Sequence, residues 1–360
     1  MTEKDNKNIK LIWDNGTAYD MFASLHVLHN PDRYGLRRSW AAGVRSRLPE
    51  DERKFIEEAV TFLHYPLTWI HSLPQPKDGE TVLWSLGQIP ASERLPKLDL
   101  SGDTPEELEQ ILREVSQRGN FEDKDIRALR EIWQARKIPG SVKSSNEMIT
   151  TSLKWWSRPT EFGERYLGAL RAYQQVFFSE EEAHIKQSLS QAIEKAKEKQ
   201  KRMVLEDLLE DLSQGVWFTA LRDIEELVLA PSYWSSPLVA IRKLNATSLV
   251  IMFGARPPGE SLIPGEMVPE QLLRALKSLA DPTRMRILRY LKGKPHSPAE
   301  LARRLRLRAP TVSHHLNALR LAGLVQIILE PSGERRYSAR KGAVTATIQN
   351  LREFLEEDLR

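Results

Sequence analysis

The stretch from residue 297 to 325, SPAELARRLRLRAPTVSHHLNALRLAGLV, constrains the fold more than any other part of the chain. Ser297 stands three residues before Glu300 with Pro298 next to it, the spacing of a capping box with proline at the first helical position. This predicts a helix over 298–305, a turn over 306–308, and a second helix from Pro310 to about Leu321. Gly323 supplies the residue type that tolerates a left-handed stop. In the second helix Val312, Leu316 and Leu319 recur at i, i+4 and i+7 and so share one buried face. Pro310, His314 and Asn317 take the opposite face, with Thr311 and Ser313 at its flanks. Such side chains suit hydrogen bonding to base edges or phosphates in a DNA major groove, which is wide enough for a helix.

The flanking sequence extends this unit. A helix is expected over 270–280, and another begins with Asp281 as cap and Pro282 at its first position and ends at Gly293. Two strand-like runs, 325–329 and 335–338, are joined by EPSGE, which reads as a hairpin with a basic second strand. Beside the second helix that hairpin forms a wing, placing Arg335 and Arg336 within reach of a phosphate or a minor groove. A last helix over 344–355 carries Ile348, Leu351 and Leu355 on one stripe.

Charge follows the same division. The net charge of the whole chain is only +4, but residues 267–345 hold 16 Lys and Arg against 5 Asp and Glu, leaving 37 basic and 44 acidic residues elsewhere. An anionic partner is therefore expected at the C-terminal segment.

The segment from about 268 to 355 resembles the winged helix-turn-helix of the ArsR family of bacterial transcriptional regulators. The resemblance is carried by LKSLADPTRMRILRYL (276–291), ELARRLRLRAPTVSHHLNALRLAGLV (300–325) and GERRYS (333–338), and it covers about a quarter of the chain. It implies double-stranded DNA as partner and a homodimer formed by the helices flanking the winged domain. It also implies binding to a near-palindromic operator, as a repressor more than an activator. The DNA-contacting set is then Arg306, Arg308, Pro310, Thr311, Ser313, His314, His315, Asn317, Arg335 and Arg336. This chain departs from the family pattern at Arg306, Arg308 and Ala309, where a small turn residue, a Ser or Thr cap and a polar residue are common. The second helix thereby loses a side-chain cap, at a cost on the order of 1 kcal/mol, and gains two cations near the phosphates. With no cysteine and no histidine after His315, the family's metal-sensing site types are absent, and no metal or other cofactor is expected.

The preceding residues say less. Apolar spacings of three and four predict helices over about 18–28, 36–48, 50–63, 80–89, 104–119, 121–136, 146–156 and 161–178, and one long helix or a helical pair over 179–212. IKLIWDN reads as a short strand ended by Asn15-Gly16, and 223–229 and 248–253 as strands that pair. ARPPGESLIPGEMVP has the composition of a linker. The expected fold is mainly α with small β elements: a mostly helical domain over 1–255 that senses a small-molecule or protein effector, a Pro/Gly-rich linker over 256–269, and a winged helix-turn-helix over 270–360 with flanking dimerisation helices.

Other function classes leave little trace. Neighbouring helix residues point about 100° apart, so His314 and His315 do not chelate one ion readily, and the pairs His26/His29 and His64/His71 read as core or surface residues. Trp69, Trp84, Trp133, Trp155, Trp156, Trp217 and Trp234 read chiefly as core, with an apolar pocket as the alternative. No nucleophile elbow, phosphate-binding glycine loop or paired zinc-ligand motif occurs, so no catalytic residue is assigned and an enzyme is not expected. The polar start and the lack of a long apolar run are read as a cytoplasmic protein without a membrane span. The reading is a DNA-binding transcriptional regulator; the alternatives are an interaction or adaptor module that uses its winged helix for assembly, and an enzyme fused to a DNA-binding domain.

Overall fold

The computed structural model describes residues 9–34, 36–135, 146–218, 221, 223–257, 260–262, 268–329 and 335–356. The expected Pro139-Gly140 close of a helical pair, the wing loop 330–334 and part of the 256–269 linker lie outside them.

The chain opens with β1 (Lys10–Trp13) and then runs through α1 (Ala18–His29), α2 (Arg38–Arg45), α3 (Glu50–Phe62), α4 (Leu67–Ser72), α5 (Gly79–Gln88) and α6 (Ala91–Asp99). Next come α7 (Glu106–Arg118), α8 (Asp123–Ala135), α9 (Asn146–Trp156) and α10 (Pro159–Tyr173), the last passing through a π-helical turn into α11 (Ser179–Gln200). The stretch 179–212 is thus a helical pair, closed by α12 (Leu205–Leu212). Two short helices, α4 and α6, fall where prolines obscure the apolar period; Pro96 lies inside α6.

Four strands follow: β2 (Val216–Phe218), β3 (Glu226–Ser232), β4 (Ala240–Lys243) and β5 (Ser248–Gly254). The strands β1, β3, β5 and β4 form one sheet in that order, parallel except for β4 at the edge. Val228, Ala230, Val250 and Met252 face the large helical core, whereas Leu227, Leu229, Ile251 and Phe253 pack against Ala196 of α11 and Leu209 of α12. Burial on both faces accounts for the unbroken apolar runs of β3 and β5, which permit a parallel sheet. The core reading holds for Trp69, Trp155, Trp156 and Trp234, but Trp84 is 63% exposed.

The C-terminal elements are α13 (Glu270–Leu279), α14 (Pro282–Leu291), α15 (Pro298–Leu305), α16 (Ala309–Leu321), β6 (Val325–Leu329), β7 (Arg335–Ala339) and α17 (Ala343–Glu356). Ile287, Leu291, Leu301, Leu305, Val312, Leu316, Leu319 and Leu324 form their own core. The two regions are nevertheless continuous. β2 adds a parallel third strand to the β6–β7 wing, with Val216 opposite Ile327 and Phe218 opposite Leu329. Arg320, 2% exposed at the end of α16, donates from Nη1 to the Gln214 carbonyl at 2.7 Å and from Nη2 to the Ser213 carbonyl at 2.5 Å.

Among the described residues, no helix is long and apolar enough to cross a membrane.

Candidate nucleic-acid interface

The site is assembled from local rules. Asp281 caps α14 by accepting from the Arg284 backbone N–H at 2.9 Å, and Pro282 opens the helix. The capping box of α15 is complete: the Ser297 hydroxyl accepts from the Glu300 N–H at 3.3 Å, and the Glu300 carboxylate accepts from the Ser297 N–H at 3.0 Å. These bonds, with His296 beside the carboxylate, hold Glu300 below the usual glutamate range.

The helix ends in a left-handed turn at Arg306 (φ 57°, ψ 43°), closed by the Leu307 N–H donating to the Ala302 carbonyl at 3.0 Å. A β-carbon at this backbone costs of order 1 kcal/mol, which accounts for the small residue common at this place and makes Arg306 a strained choice. α16 begins without a side-chain cap at Arg308.

On α16, Val312, Leu316 and Leu319 are fully buried, whereas Pro310, Thr311, Ser313, His314 and Asn317 are exposed, as are Arg306 and Arg308 before it. Seven of the ten residues expected to contact DNA thus lie on one exposed surface. The other three are placed differently. His315 is half-buried, its Nδ1 4.0 Å from Asp281 Oδ2, and burial lowers its pKa, Asp281 opposing. It packs α16 against the cap of α14. Arg336 donates to Glu300 Oε1 at 3.3 Å, tying the wing to α15. Arg335 is half-buried, and desolvation lowers its pKa.

A neighbouring groove was not resolved by sequence reading. Lys294, His296, Arg303, Arg304 and Arg336 surround Glu300 in a depression of about 450 Å³ between α15 and the wing. These residues contribute to the charge count of the segment, but the turn before α15 and the strand β7 meet only in three dimensions. The groove and the exposed face of α16 together offer hydrogen-bond donors and positive charge to a polyanion.

Comparison with known proteins agrees with this geometry. Residues 279–328 match the model of a helix-turn-helix domain family. The transcriptional repressor SdpR of Bacillus subtilis (strain 168) is 39% identical over 49 residues, a stretch that covers 14% of this chain and 54% of that protein. The chain spans about half the length of this curated relative. With the β6–β7 wing following the matched helices, the C-terminal part of the chain is a winged helix-turn-helix domain of the transcriptional-regulator type.

Proposed function

We propose that the chain is a DNA-binding transcriptional regulator that acts as a repressor. The observation that carries this reading is the exposed polar and basic surface of α16 and its preceding turn, held on an apolar core and set in the most basic part of the chain. Arg306 and Arg308 contact phosphates, and Thr311, Ser313, His314 and Asn317 read base edges in the major groove. His315 supports the helix from behind. Arg335 and Arg336 reach the backbone when the wing meets DNA, Arg336 then exchanging Glu300 for a phosphate.

The protein binds a near-palindromic site as a homodimer. Support comes from α17, which holds three of the six exposed large apolar side chains among the described residues: Val344, Ile348 and Leu355. Such a stripe is more apolar than a solvated helix face requires. The N-terminal region modulates binding by linkage: an effector that prefers the DNA-incompetent state lowers DNA affinity by its differential affinity for the two states. The physical connection is Arg320 and β2, which join α16 and the wing to that region.

Selection of genomic fragments by the purified full-length protein tests this reading. Recovery of fragments sharing two half-sites about one helical turn apart is the expected result. Recovery of no shared sequence would reject it.

A further inference from the structure

A cavity of about 350 Å³ lies where the two regions meet, within the size range of small-molecule sites. It opens beside the C-terminal end of β5, at Phe253, Gly254 and Arg256, the end of a parallel strand at which open α/β sheets commonly bind ligands. Its other walls come from α11, the start of α13, Leu321 at the end of the recognition helix, and Arg340 just after the wing. A molecule seated there touches the sheet and the winged domain at once.

The charge of the cavity is unbalanced. Five cationic side chains and three acidic ones line it. Asp211 pairs with Lys199 at 2.7 Å, and Glu260 accepts from the Tyr233 hydroxyl at 2.7 Å while its charge acts on Arg256. The third, Glu270, is shared between two guanidiniums, with Arg274 on Oε1 and Arg256 Nη2 3.6 Å from Oε2. The Arg256 side chain is 8% exposed, and its Nη1 is buried without a hydrogen-bond partner. The lining as a whole keeps two more positive than negative charges, and an unpaired buried donor is costly. An anion in the cavity meets that surplus of positive charge.

We propose that this cavity is the effector site, and that it takes a small carboxylate- or phosphate-bearing molecule whose anionic group sits on Arg256, with Lys195 at the rim. The effector role rests on the reading of the chain as a DNA-binding regulator; the anion site does not. Leucine and glutamine neighbours complete the route to α16: Leu321 is in the cavity wall, and Gln271 of α13 lines the cavity while packing against Gly323 just beyond the helix.

The test uses the full-length protein with inorganic phosphate and, separately, citrate across the millimolar range, against potassium chloride at matched ionic strength. Thermal unfolding reports binding. One or both anions are expected to raise Tm saturably by roughly 3–6 °C near saturation, the stronger of the two identifying the source of the anionic group. The rise is lost in Arg256→Met and weakened in Lys195→Ala, a rim change that keeps the fold, and it survives in Arg304→Ala. No rise beyond chloride with either anion overturns the proposal. So does a rise that persists in Arg256→Met, or one that disappears in Arg304→Ala, which places the anion in the basic groove of the winged domain. In parallel, the saturating anion is expected to change DNA affinity fivefold or more at constant ionic strength. DNA binding that ignores an anion bound at Arg256 overturns the effector role, whereas absence of DNA binding altogether refutes the regulator reading and leaves the anion result standing.

Discussion

Arg320→Met removes the side chain that fastens the recognition helix to the region before it. Arg320 is buried, has carbonyl acceptors from Ser213 and Gln214, and has its pKa pushed down to about 10, by burial first and by Arg340 second. The fall to about 10 corresponds to roughly 3 kcal/mol of disfavoured charge. Two hydrogen bonds from a charged donor contribute about 1.5–3 kcal/mol each, so the bonds outweigh the burial. Methionine relieves the charge and keeps much of the volume, but strips two carbonyls of their donors. The expected net loss is about 1–3 kcal/mol. All nine tryptophans precede residue 235, and all but Trp217 lie outside the wing sheet, so in urea unfolding tryptophan fluorescence follows mainly the N-terminal region, while far-ultraviolet circular dichroism follows every helix. The wild type is expected to give coincident transitions, and Arg320→Met a lower midpoint with the two probes separated. Coincident transitions at an unchanged midpoint would refute the role of Arg320 as the fastener between the regions.

Three further outcomes follow from particular residues. Asp20 is fully buried, accepting from the Ser232 hydroxyl and the Trp234 N–H at 2.8 Å each while Oδ2 lacks a partner, and burial raises its pKa to about 7. Because the folded value lies above the unfolded one, its contribution is complete below about pH 4 and lost as pH rises through about 7. Asp20→Asn, neutral throughout, should remove a wild-type loss of at most about 4 kcal/mol across that window, and a wild-type minus variant difference that is flat with pH contradicts it. Arg306→Gly relaxes the left-handed turn and is expected to raise stability by up to about 1 kcal/mol while weakening DNA binding and lowering its salt slope by about one. A destabilised variant with unchanged DNA affinity would show that neither turn strain nor phosphate contact resides there. Ile348→Asp, on the exposed stripe of α17, should leave thermal stability within about 0.5 kcal/mol and convert a dimer to a monomer in sedimentation; a variant that still dimerises moves the interface elsewhere.

The winged domain was legible because its signals are local. The capping box at Ser297 and Glu300, the Asp281 cap and the spacing of Val312, Leu316 and Leu319 each lie within a few residues, and the structure contains all of them. The strands at β1, β3 and β5 were visible as apolar runs, but their parallel order depends on the long helical crossover between β1 and β3, which no local period encodes. β2 has three residues, too few for a pattern, and its partner β6 lies more than a hundred residues on. Arg320 is read from sequence as one more surface cation; only the fold supplies the carbonyls that justify its burial. His315, three residues after Val312 and four before Leu319, falls beside the buried stripe by the helical period, but its neighbour Asp281 is supplied only by the fold.

On the proposed function, α16 and its turn bind DNA through phosphate neutralisation combined with base reading. This is tested most directly by fluorescence anisotropy of the full-length protein on a selected fragment and on a scrambled one, as a function of salt. Affinity is expected to fall steeply with salt on both, the selected fragment to bind more tightly at every salt concentration, and His314→Ala to narrow this gap without changing the slope. Association that is independent of salt, or equal on the two fragments, would contradict the proposed function.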